Sequence, residues 1–112
     1  MTLANLPDSL QKFAAKYPKV WKVYSKLGEE CTNAGPLKEK EIHLIKMGIY
    51  GSKRQETPFK THVRLALRSG TSEDEVSHAI LQILTSEGLG PTVRVWNWAN
   101  EVIRDEARKK RG

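Results

Sequence analysis

The 112-residue chain has one cysteine, Cys31. A single thiol can neither close an intramolecular disulfide nor cycle between dithiol and disulfide, so cysteine-pair redox chemistry is excluded. The three histidines, His43, His62 and His78, lack the spacing of a local zinc motif, and no metal is expected. No run approaches the roughly 18 to 20 apolar residues of a membrane span. Met1–Leu10 carries Asp8 and no signal-like apolar stretch, so the expected location is cytoplasmic with no membrane partner. Internal repeats, low-complexity segments and sustained heptads are also missing, which excludes solenoids and long coiled coils.

What is present is a balance of 38% hydrophobic and 29% charged residues, which supports a folded core with a wet surface. The length fits one domain. The formal charge of +6 is concentrated at Arg108, Lys109, Lys110 and Arg111, and the other basic residues are spread among acids. Residues 108–112 therefore read as a basic tail after a helix, and nucleic-acid binding ranks behind small-molecule functions.

Apolar spacings of three and four predict a succession of short helices. Asp8–Lys16 carries Leu10, Phe13 and Ala14; Pro18 to about Thr32 carries Val20, Val23, Tyr24, Leu27 and Cys31. Asn33, Gly35 and Pro36 then stop the chain. Lys38–Tyr50 presents Ile42, Ile45 and Ile49, widened by Leu44 and Met47, and residues 51–55 read as a polar crossing. A helix opened by Pro58 ends at Ser69-Gly70, where glycine suits a left-handed stop. Ser72 and Glu75 have the spacing of a capping box for a helix over Glu73–Thr85. After Gly88, Gly90 and Pro91 a last helix runs from Thr92 to about Lys109, with Val95, Trp96, Ala99, Val102 and Ile103 on its stripe and Trp98 off it. The reading is all-α, a compact bundle of about five to six helices. Residues 1–36 form a helical extension packed on the same domain, and 37–107 the core. So many apolar faces on a short chain point to a homo-oligomer.

Imidazole exchanges protons near neutrality, which makes His62, near the start of its helix, and His43 the candidates for proton transfer. His78 has no polar partner in sequence. Glu56 can orient the opening of the His62 helix. Arg64 and Arg68, one turn apart, can meet a carboxylate, and Arg94 and Glu87 flank the glycine-containing turn where a ligand can sit. Trp98 is an interface or pocket residue.

The phrase His62-Val63-Arg64-Leu65-Ala66-Leu67-Arg68-Ser69-Gly70-Thr71-Ser72-Glu73-Asp74-Glu75-Val76, preceded by Leu37–Tyr50, resembles the carboxymuconolactone decarboxylase family over about Leu37–Ile103. The resemblance implies an alkylhydroperoxidase-like helical fold, assembly as a trimer or hexamer, and cofactor-free lyase chemistry on a small carboxylated molecule. His62 is the matching histidine. In the peroxidase branch the reactive cysteines would fall near Gln55 and Pro58, so that activity is rejected here. The leading helix there often carries a glutamate where this chain has His43. A noncatalytic, oligomeric ligand-binding or interaction protein on the same framework is the alternative.

Overall fold

The computed structural model describes residues 6–111, and all of its regular elements there are α-helices. These are α1 (Asp8–Lys16), α2 (Pro18–Asn33), α3 (Glu39–Ser52), α4 (Glu56–Arg68), α5 (Glu73–Glu87) and α6 (Leu89–Arg111). Two compact units divide after Pro36. The first is the α1–α2 pair, joined without a loop at Tyr17, where Pro18 starts α2 in a position that needs no backbone donor. In the second unit, α3 packs on α4 and α5, and α6 closes the core against α4 and α5.

Local chemistry sets most of the boundaries. At the start of α5 the Glu75 N–H donates to Ser72 Oγ at 3.0 Å, and the Ser72 N–H donates back to Glu75 Oε1 at 3.0 Å. This is the reciprocal cap expected from the spacing. At the end of α4, Gly70 adopts φ +95°, so that the Thr71 N–H reaches Ala66 O and the Gly70 N–H reaches Leu67 O. Those two bonds satisfy carbonyls that the ending helix would leave open.

Several boundaries differ from the sequence expectation, each for a physical reason. Helices α4 and α6 begin two and three residues earlier than expected. Pro58 and Pro91 thus lie inside the first turns, where a missing N–H breaks no helical bond. Gly88, at φ +95°, ends α5, and its carbonyl accepts from Thr92 Oγ1 at 2.7 Å. The polar crossing after α3 shrinks to Lys53–Gln55, with Arg54 left-handed at φ +58°. At the other end, α6 continues through Arg111, so Arg108–Arg111 form its last turn, where cations meet the negative end of the helix dipole.

The core of the second unit is Met47, Phe59, Val63, Val76, Ile80 and Val95 with their neighbours. The buried face of α3 is rotated from the isoleucine stripe: Leu44, Met47 and Gly51 turn inward, while Ile45 and Ile49 are 49% and 44% exposed. Gly51 explains the rotation. A Cβ placed there would lie 3.0 Å from Ile83 Cδ1, 3.2 Å from Val95 Cγ1 and 3.4 Å from Phe59 Cδ1. Side chains from three other helices therefore close on bare backbone. The tryptophans exchange their expected roles: Trp96 is half-exposed, and Trp98 packs on the core with its ring 6.1 Å from Phe59.

Filling the Gly51 site is expected to destabilise the fold. Gly51→Val should lower the unfolding free energy by about 1–3 kcal/mol through overpacking. Gly48→Ala, three residues earlier with open space around it, should be neutral or stabilising by up to about 1 kcal/mol. Urea denaturation of both variants checks the contrast.

Candidate functional site

Helix α4 lies between α3 and α6, and its polar side chains divide accordingly. Its core stripe is Phe59, Val63 and Ala66. At 100° per residue, His62 falls on one flank of that stripe, and Lys60 and Arg64 fall on the other. The first flank meets α3 and the second meets α6.

On the α3 flank, His43 Nδ1 and His62 Nδ1 face each other at 3.1 Å. One nitrogen must donate and the other accept, since two lone pairs or two protons would repel. The Tyr50 ring stacks on His62, with centroids 5.5 Å apart and planes 13° from parallel. His43 has a side chain only 12% exposed, and its Nε2 lies 3.6 Å from Glu39 Oε1. Glu39, His43 and Tyr50 share one face of α3 at spacings of four and seven. The line Glu39–His43–His62 thus runs from an exposed carboxylate to a half-buried ring.

This setting holds His62 uncharged. Burial removes water from the ring, and the neighbouring His43 and the Lys46 ammonium both disfavour a second positive charge, which lowers its pKa to about 4. At neutral pH the ring has one donor and one acceptor nitrogen, and Nδ1, whichever it is, is engaged by His43.

The other expected site residues lie elsewhere. Arg68 donates through Nε and Nη2 to Glu106 at 3.3 and 3.0 Å, and Arg64 Nε lies 3.7 Å from the same carboxylate. Glu106 is buried on α6, so the two arginines neutralise a carboxylate taken out of water. Glu56 is ion-paired with Lys60, which also bonds Glu101 of α6. Arg94 and Glu87 are exposed, and Trp98 packs on the core. His78 lines an apolar groove between α5 and α6 with Leu81, Leu84, Leu89, Val93 and Trp96. The structure therefore joins His43 with His62 and leaves Glu56, Arg64 and Arg68 on the opposite flank of α4.

Sequence reasoning missed Glu39, Lys46, Tyr50 and Glu106. The Glu39–His43 spacing of four was a usable signal. The remaining contacts needed the packing of α3 and α6 on α4. For a metal, the two facing histidine nitrogens supply two ligands, and no group of three or more His, Cys, Asp or Glu side chains able to hold an ion occurs among the described residues.

Comparison with known proteins matches residues 18–101 to the model of the carboxymuconolactone decarboxylase family. The match starts in α2, well before Leu37, where the sequence resemblance begins. The fold is similar to that of a protein from Burkholderia xenovorans LB400 whose crystal structure carries the provisional name carboxymuconolactone decarboxylase. The TM-score is 0.75 at 23% identity, over 93% of this chain and 84% of that one. No curated protein matches.

His62 should remain uncharged in an NMR titration until about pH 4. Its folded pKa lies below the unfolded value near 6.5, so from about pH 6.5 down to 4 the unfolded chain binds more protons at this residue. Its contribution to stability is therefore full above that window and lost as pH falls through it. Urea unfolding at several pH values should show that His62→Asn loses less stability on acidification than the wild type.

Proposed function

The chain belongs to the carboxymuconolactone decarboxylase family, and from that premise we propose that it is a cofactor-free lyase releasing carbon dioxide from a small carboxylated molecule, with His62 moving the proton. The contact of His62 Nδ1 with His43 Nδ1 at 3.1 Å carries the reading. It engages Nδ1 of a half-buried ring with a second imidazole, so Nε2 is the nitrogen that would meet substrate. Two coupled imidazoles that cannot both be charged are suited to passing one proton.

In such a reaction the bond to the carboxylate carbon breaks, carbon dioxide leaves, and the electron pair stays on the substrate, which then takes a proton from His62. Lys46 supplies the positive charge for the substrate carboxylate, because Arg64 and Arg68 are engaged by Glu106. An anionic substrate beside the pair favours its singly protonated state, so binding itself helps load the proton that the reaction consumes.

Carbon dioxide release from carboxymuconolactone, compared for the wild type and His62→Gln, tests the proposal. Turnover should fall by about 10²–10⁴-fold in the variant with its fold intact, the usual worth of a positioned acid or base. Equal turnover by the two would overturn the role of His62. Binding of lactone acids without any product would move the noncatalytic alternative first.

The site is read within a homo-oligomer. Leu81, Leu89, Val93 and Trp96 are 52%, 68%, 44% and 46% exposed around the α5–α6 groove, whose volume is about 430 Å³. A contiguous apolar surface of this kind favours burial against another copy. Sedimentation velocity should show an oligomer that Trp96→Asp shifts toward monomer.

A further inference from the structure

Two contacts on His43, one a hydrogen bond and one a longer electrostatic approach, bear on where protons sit along this line. Glu39 Oε1 lies 3.6 Å from His43 Nε2, too far for a hydrogen bond, and its negative charge biases the His43 proton toward Nε2 electrostatically. His43 Nδ1 is then a lone pair. With that tautomer the 3.1 Å contact has His62 Nδ1 donate to His43 Nδ1, and His62 Nε2 keeps its lone pair.

We propose that Glu39 and His43 act as a one-proton reservoir for His62, Glu39 fixing the tautomer and His43 holding the stored proton. To load, a solvent proton adds to His62 Nε2 while the Nδ1 proton of His62 passes to His43 Nδ1. His43 is then an imidazolium beside the Glu39 carboxylate, and His62 is a neutral ring with Nε2–H facing out. To discharge, His62 Nε2–H gives its proton to the substrate carbon that holds the electron pair left by carbon dioxide. His62 Nδ1 takes its proton back from His43, and the pair returns to its starting state having delivered one solvent proton. The purpose of the reservoir rests on the lyase reading; its tautomers do not.

The surroundings agree with one stored charge. The exposed Glu39 carboxylate, 3.6 Å from His43 Nε2 on the same helix, opposes the cost of a charge on the nearly covered His43, while Lys46 on α3 opposes a charge on His62. From α4 the neighbour is His62 itself, stacked by Tyr50 of α3. The α5 side of α3 presents a matched pair, Lys40 Nζ with Glu75 Oε2 at 2.9 Å. The Lys60 and Arg64 charges of α4 lie on the α6 flank with Glu101 and Glu106.

Nitrogen-15 NMR of histidine-labelled full-length protein tests this without substrate. At pH 8, His43 should be the Nε2–H tautomer and His62 the Nδ1–H tautomer, and the pair should take up its first proton on His43. Glu39→Gln should lower the affinity for that proton about fivefold, as expected for unit charges about 4 Å apart in water. Finding the reverse tautomers, or no change in Glu39→Gln, overturns the reservoir even if His62→Gln abolishes turnover. The expected tautomers and shift establish the reservoir even if no lyase activity is found.

Discussion

The absence of a side chain at Gly51 is the constraint on which the second unit depends. Ile83, Val95 and Phe59, from α5, α6 and α4, converge on its backbone, so four helices meet where any larger residue would hold them apart. Close packing of this kind leaves little room to relax. Rotation of α3 toward the glycine turns Leu44 and Met47 inward and places the Glu39–His43–Tyr50 face beside α4. The position of His43 against His62 is thus a consequence of what residue 51 lacks.

The turn between α3 and α4 completes that placement. Only Lys53–Gln55 separate the two helices, and the Gln55 N–H reaches back to Tyr50 O at 3.0 Å with Arg54 left-handed. So short a link leaves the helices antiparallel neighbours. Nineteen positions apart in the chain, two imidazoles come within hydrogen-bond distance. Burial then makes His62 chemically unusual, because a half-buried ring beside a second imidazole and the Lys46 ammonium does not readily take a charge.

The fold was legible in the sequence wherever local chemistry decided the outcome. The Ser72–Glu75 cap, the Gly70 stop and the helical spacing of Val76, Ile80 and Ile83 are all properties of neighbours along the chain. The face of α3 was not legible, because Ile42, Ile45 and Ile49 spell an apolar stripe as well as Leu44 and Met47 do. Only the tertiary approach at Gly51 decides between them. The same limit governs the site: His43 and His62 were each visible as isolated imidazoles, and their pairing required the α3–α4 packing. Arg64 and Arg68 shared a spacing suited to an anion, and the anion they meet in the structure is the buried Glu106 of α6.

Helix α4 separates two duties by angle. The flank toward α3 carries the coupled imidazoles, and the flank toward α6 carries ion pairs that anchor a buried carboxylate. Groups that share no partners tend to vary independently. Substitutions at Lys46 or Tyr50 on the one flank and in the α4–α6 seam on the other are therefore expected to act on stability nearly additively. A 13-residue helix in this way carries a histidine contact on one edge and a charge-pairing seam on the other.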